Sequence, residues 1–154
     1  MLDMRPEPGP ESGRGAPTEV LLTRRLTFAA AHVLRRADWD GDRNREVFGP
    51  CAGDHGHNYV LEVSVSGAPD PATGMVVNLK DLDRVVREAV IVHVDHRHLN
   101  HDVSFLEGVI PTAENLALAF WSQLETALER LPHPCRLRRL RLVESENNTV
   151  EIVR

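Results

Sequence analysis

Between residues 51 and 57 the chain reads Cys-Ala-Gly-Asp-His-Gly-His, one thiol and two imidazoles in a short stretch that runs into β-branched residues. Side chains on an extended strand alternate faces, so His55 and His57 point the same way, with Gly56 between them leaving the backbone unencumbered. His32 ends an earlier alternating segment and shares the parity of Leu26, Phe28 and Ala30. If the two segments pair antiparallel, the end of one lies beside the start of the other and three imidazoles converge. Three nitrogen donors with one position left open to water or substrate form the arrangement of catalytic zinc, although the same donors accept other divalent ions. The plainer alternative makes each histidine a hydrogen-bonded core or turn residue.

Other residues add to this set. Cys51 admits three roles: a fourth ligand closing a structural zinc site, a nucleophile or base activated by a nearby cation, or an inert buried hydrophobe. Spacing does not separate them. Asp95 and His96 juxtapose a carboxylate and an imidazole, a pairing that fixes a tautomer and raises basicity where the two groups face each other. The neighbouring His93, His98 and His101 read as surface residues. Glu144 shares the parity of Leu140 and Leu142 and points inward. A buried carboxylate needs a partner, either an arginine or a planar ligand with adjacent N–H groups, such as a guanine-like ring.

The elements that must position these groups follow from hydrophobic period. Alternation from Val20 to about Leu34 predicts a first strand, and residues 35–54, polar and Gly/Pro-bearing, a long loop. His55, His57, Tyr59, Leu61, Val63 and Val65 predict a second strand, ended by the turn chemistry of GAPDPATG. Asn78 is placed to cap a helix with Leu79, Leu82, Val86, Ala89 and Val90 as its apolar stripe. Thr112, after Pro111, caps a second helix in which Leu116, Phe120, Leu124 and Leu128 recur every four residues. RLRRLRLVES and TVEIVR, joined by ENN, predict two final strands. The order strand, strand, helix, helix, strand, strand describes an α+β unit, an antiparallel sheet with helices on one face.

The 154 residues, 42 % apolar, suit one domain. A net charge of -5 argues against a general nucleic-acid or membrane-surface binder, and the clusters at Arg24-Arg25, Arg35-Arg36 and Arg136 to Arg141 read as solvated surface. Two cysteines, Cys51 and Cys135, give no disulfide framework, which fits a reducing compartment. With no apolar leader and no run of membrane-span length, a cytoplasmic protein is expected. The Pro-, Gly- and charge-rich residues 1–18 read as a disordered tail before a domain over 19–154.

FAAAH, FGPC with HGHNY, DPATGMVVNLKDL, VDHRHLN, PTAEN and ESENN occur in this order over about residues 22–154. Together they resemble the 6-pyruvoyltetrahydropterin synthase / 6-carboxytetrahydropterin synthase family. The resemblance implies a tunnelling fold whose strands join between subunits into a barrel, commonly a hexamer of two trimers. It implies zinc on His32, His55 and His57, Cys51 as catalytic base, Asp95 and His96 as proton relay, and Glu144 anchoring a pterin ring with Thr112 nearby. The implied substrate is 7,8-dihydroneopterin triphosphate, which loses triphosphate.

The spacing Cys51-x-x-x-His55-Gly56-His57 resembles the carboxy-forming branch of queuosine biosynthesis, which also releases acetaldehyde. FGPC, GMVVNLKDL and ESENN resemble the pyruvoyl branch. Because the spacing lies within the active site, the sequence favours 6-carboxy-5,6,7,8-tetrahydropterin, with 6-pyruvoyl-tetrahydropterin as the alternative product. Asp54, unusual for the family, is either a partner for an imidazole N–H or a turn residue. A non-catalytic zinc-stabilised module, closed by Cys51, is the competing reading outside enzymes. A metal-free aldolase on the same fold is disfavoured by the histidine triad. A zinc hydrolase with two cysteine ligands is disfavoured by the lack of a second cysteine near the HGH strand.

Overall fold

The computed structural model describes residues 20–154; the tail expected over 1–18 lies outside them. Alternating apolar residues produce two long strands, β1 (Leu21–His32) and β2 (His55–Ser66). They pair antiparallel along their length, with Leu26 opposite Leu61, Phe28 opposite Tyr59 and His32 opposite His55. Directly opposed residues share a face, so the inward sets of both strands merge into one buried surface. It comprises Leu26, Phe28, Ala30 and His32 with Tyr59, Leu61, Val63 and Val65.

Two further strands extend the sheet beyond β2. These are β4 (Arg136–Val143), whose register with β2 shifts between Ser64 and Val65, and β5 (Thr149–Val153), antiparallel to β4. A short strand that the sequence did not suggest, β3 (Arg97–His98), runs parallel to β1 beside Ala30 and Ala31. The sheet order is β3-β1-β2-β4-β5. The expected antiparallel sheet is present, with this one short parallel strand added at its edge; two residues are too few to carry a period.

Helices cover one face. Asn78 caps α2 (Leu79–Val86) by accepting the Lys80 N–H, and the helix continues through a π segment, Arg87–Ile91, into α3 (Val92–Val94). Leu82, Val86 and Val90 are buried, but Leu79, expected in the stripe, is exposed in the first turn. Thr112 caps α4 (Ala113–Leu128), its hydroxyl accepting the Asn115 N–H at 3.3 Å. Phe120 of α4 packs edge-on to Phe28 with ring centroids 5.9 Å apart. No helix of the described residues is long and apolar enough to cross a membrane.

The long loop expected over residues 35–54 instead holds α1 (Gly41–Phe48) and a 3-10 turn, Gly49–Ala52. Asp40 caps α1 through the Arg43 N–H at 2.8 Å. Gly49 ends it at a φ of 58°, a conformation that favours glycine. Its polar composition concealed this helix. The buried inward residue is Asn44, whose amide accepts the Arg36 N–H and donates to the carbonyls of Arg36, Trp39 and Asp40. A helix folded onto its own loop needs no apolar stripe.

Candidate functional site

The β1–β2 register brings His32 opposite His55, with His57 on the same face two residues further along β2. His32 Nδ1 donates to the Pro111 carbonyl at 2.8 Å, and His55 Nδ1 donates to the Gly53 carbonyl at 2.8 Å. A carbonyl only accepts, so both rings carry their hydrogen on Nδ1 and leave Nε2 bare. These two Nε2 atoms lie 3.0 Å apart. Two lone pairs at that separation repel unless a cation neutralises them. His57 Nε2 is buried with no hydrogen-bond partner. The ligand atoms of the three residues all lie within 4.8 Å of one another. Burial, reinforced by the neighbouring His55, holds His32 below the usual imidazole range despite the opposing bond to Pro111, and so favours its neutral, ligating form. The donor set, the bare nitrogens and the orphaned His57 Nε2 fit a divalent metal ion of the zinc type.

Tyr59 lies beneath this cluster, fully buried and stacked on Phe28 at 4.7 Å. Burial first, and then the charges of Glu144 and Cys51, push its phenol far above the ordinary value. Tyr59 therefore stays neutral, and both acidic groups lie near it. Cys51 sits half-buried in the 3-10 turn, and its carbonyl accepts the Leu34 N–H at 2.8 Å, fastening the turn to the chain leaving β1. Glu144 lies just past the last residue of β4, yet keeps the inward direction expected from parity. Its carboxylate is 15 % exposed and stands 3.8 Å from His32 Nε2 and 3.9 Å from His57 Nε2. Among the described residues the side chains within ion-pair distance of it are these imidazoles rather than an arginine.

Asp95 and His96 do face each other. Asp95 Oδ1 lies 3.0 Å from His96 Nδ1 and also accepts the Ala29 N–H at 2.9 Å. The Ala29 N–H is the main cause holding the Asp95 carboxyl below the usual carboxylate range, and His96 adds to it. His96 adopts a φ of 56°, uncommon for a residue with a Cβ, and its N–H donates to the Ala29 carbonyl. Its imidazole is 82 % exposed, and neither Asp95 nor His96 hydrogen-bonds to the three histidines or to Cys51. A basin of about 530 Å³ nevertheless touches both His57 and His96. It runs past Gly56, where a Cβ would meet the Ala30 carbonyl oxygen at 3.1 Å. Thr112 contributes its hydroxyl to the cap of α4, and its link to the cluster is the adjacent Pro111 carbonyl.

Some contributors have no sequence signature. The Pro111 and Gly53 carbonyls set two tautomers, and backbone acceptors are invisible in residue types. His98, read as a surface residue, is half-buried and bonded through Nε2 to Asp54 Oδ1 at 3.0 Å, so Asp54 pairs with an imidazole outside the three-histidine cluster. His93 and His101 are exposed, as expected.

Residues 21–154 match the model of the family described as 6-pyruvoyl tetrahydropterin synthase. The chain is similar to the 6-pyruvoyl tetrahydrobiopterin synthase of Dictyostelium discoideum, 38 % identical over 85 % of this chain and 93 % of the relative. The Homo sapiens protein of that name is 37 % identical, over 90 % of this chain and 94 % of the relative. An Archaeoglobus fulgidus protein, provisionally named a 6-carboxy-5,6,7,8-tetrahydropterin synthase, is 38 % identical over 88 % and 97 %. Among solved structures, the Caenorhabditis elegans 6-pyruvoyl tetrahydropterin synthase superposes with a TM-score of 0.79 at 31 % identity, covering 88 % of this chain and 95 % of that one. By sequence and by fold alike, this α+β chain belongs to the 6-pyruvoyl tetrahydropterin synthase family.

Proposed function

We propose that this chain is a zinc-dependent lyase that acts on 7,8-dihydroneopterin triphosphate, expels triphosphate and forms 6-pyruvoyl-tetrahydropterin. The observation that carries the reading is the cluster of His32, His55 and His57, with Nε2 bare on His32 and His55 and unpartnered on His57, and the Glu144 carboxylate within 3.9 Å of His32 and His57. The named relatives support the pyruvoyl product better than the carboxy product suggested by the Cys51–His55 spacing. That reverses the preference drawn from the sequence.

Zinc held by the three imidazoles would supply Lewis acidity to the oxygens of the substrate side chain, so that the adjacent carbon-bound protons become more acidic. In this reading Cys51 accepts one such proton on Sγ. Asp95 holds the Nδ1 hydrogen of His96, which leaves His96 Nε2 as the atom that exchanges a proton with substrate. The Glu144 carboxylate accepts two adjacent N–H groups of the pterin ring. Triphosphate leaves with its electron pair, and the rest of the change is an internal rearrangement, so no external oxidant or reductant is required. The chain is further proposed to work in the cytoplasm as a hexamer of two trimers, consistent with free Cys51 and Cys135 and with the unpaired sheet edges discussed below.

The short Cys51–His55 spacing keeps the carboxy-forming reaction as a second reading. The test is incubation of zinc-loaded protein with 7,8-dihydroneopterin triphosphate, with assay of the pterin product, triphosphate and acetaldehyde. Triphosphate without acetaldehyde is the expected result. Acetaldehyde with a carboxypterin would restore the other branch, and unchanged substrate would favour a zinc-stabilised module.

A further inference from the structure

The chain leaves β1 at His32, makes an excursion through α1, and passes Cys51 before it enters β2 at His55. The turn that carries Cys51 is tied on both sides to neighbours of these histidines. The Cys51 carbonyl accepts the N–H of Leu34, two residues after His32, at 2.8 Å. Beyond Cys51, the Gly53 N–H donates to Pro50 O at 3.1 Å, and the Gly53 carbonyl accepts from His55 Nδ1. The Leu34–Cys51 bond is thus the neck of a loop whose ends are close and whose interior its own side chains must fill.

Asn44 does the filling. It is 3 % exposed. Its Oδ1 accepts the Arg36 N–H at 2.8 Å, and its Nδ2 donates to the carbonyls of Arg36, Trp39 and Asp40 at 3.0, 3.2 and 3.0 Å. Arg36 lies two residues past the neck, so this one amide fastens α1 to the chain leaving β1. At the other end of α1, Phe48 stacks on Trp39 with ring centroids 6.1 Å apart, and the guanidinium groups of Arg36 and Arg43 lie over the Trp39 ring. Gly49 then hands the chain from α1 to the Cys51 turn at a φ of 58° and a ψ of -136°. A residue with a Cβ adopts that backbone only under strain. A Cβ at Gly49 would meet nothing within 4 Å, so conformation rather than space requires the glycine.

We propose that Asn44 and Gly49 are positioning residues for Cys51: the amide closes the loop that presents the thiol, and the glycine sets the direction in which the chain enters its turn. The proposal rests on reading Cys51 as the base. Asn44→Ala leaves the Arg36 N–H and three carbonyls without this partner, whereas Gly49→Ala alters the backbone and adds no clash.

The test compares full-length, zinc-loaded wild type with Asn44→Ala, Gly49→Ala, and each of these combined with Cys51→Ala. Val47→Ala, on the exposed side of α1, is the control. Amide hydrogen exchange at Leu34, zinc content, kcat and KM are measured for each. In Asn44→Ala and Gly49→Ala the Leu34 amide exchanges several-fold faster and kcat falls about tenfold, within what a small misplacement costs, with zinc content and KM little changed. Val47→Ala moves none of these. In the Cys51→Ala background neither substitution lowers the residual turnover further, because its effect passes through the thiol. Should Asn44→Ala fail to fold, Gly49→Ala decides. Unchanged Leu34 exchange or unchanged kcat in Gly49→Ala, or a further loss of turnover in the Cys51→Ala background, overturns the proposal. If Leu34 exchange responds but Cys51→Ala alone turns over as wild type does, the structural tie stands while the reading of Cys51 as base falls, and the proposal with it.

Discussion

A carbonyl oxygen accepts hydrogen bonds and never donates them, and this property orients two of the three imidazoles by fixing Nδ1 of His32 and of His55 as donors. In the proposed function the three imidazoles hold the metal and Cys51 acts as the base rather than as a fourth ligand. Cys51→Ala should therefore retain zinc, measured by metal analysis, while turnover falls by about 10²–10⁴-fold, the usual range for a lost general base. Loss of metal together with loss of the folded state would instead identify Cys51 as a fourth ligand. Asp95 yields a pH prediction. Its carboxyl is depressed chiefly by the Ala29 N–H, so the stabilisation is complete above the unfolded value near ~3.9 and disappears as pH falls through the lower folded value. Thermal melts of wild type and Asp95→Asn should differ by a constant gap at neutral pH and converge below about pH 4. A gap that persists into that acid range would show that the charge is not what Ala29 rewards.

At the scale of elements, the start of α4 does two jobs. Thr112 caps the helix, and the preceding Pro111 carbonyl holds His32. Thr112→Ala should cost about 1 kcal/mol, a fall of about 2–4 °C in Tm, and weaken zinc binding as the Pro111 carbonyl loosens. Thr112→Ser, which keeps the hydroxyl, should behave as wild type. Calorimetry and a zinc titration separate the cap from the histidine support; a lower Tm with unchanged zinc affinity would confine Thr112 to the cap. The same elements show why part of the fold was legible. β1 and β2 each bury one face, so a period of two survives in Leu26, Phe28, Tyr59 and Leu61 and carries His32, His55 and His57 with it. Glu144 kept its inward direction one residue beyond β4 for the same reason. α1 was illegible because Asn44 satisfies polar backbone groups where an apolar stripe would ordinarily be read, and β3 because two residues have no period. The Asp54–His98 bond joins residues 44 positions apart, a tertiary fact that no local pattern encodes.

For the whole molecule the sheet's edges are the open question in energy. Among the described residues β3 covers β1 at Ala30 and Ala31, so the earlier part of β1 has no strand partner on that side among them, and β5 forms the opposite edge. Leu21 is 47 % exposed and Val153 70 % exposed at these edges. Long unpaired edges invite pairing with another chain. Because the two edges differ, the proposed assembly would join copies head to tail, β5 of one beside β1 of the next, in a ring that closes on itself. Arg154 N–H donates to Arg138 O, so the alternate N–H groups of Val153 and Glu151 turn away from β4. Val153→Pro removes an outward donor without breaking the β4–β5 ladder. Light scattering should then report the proposed multimer for wild type and a mass shifted toward one chain for Val153→Pro, with an unchanged far-ultraviolet circular dichroism spectrum. A wild type that runs as one chain would remove the assembly from the proposal while leaving the histidine cluster intact, since every donor to it comes from a single copy.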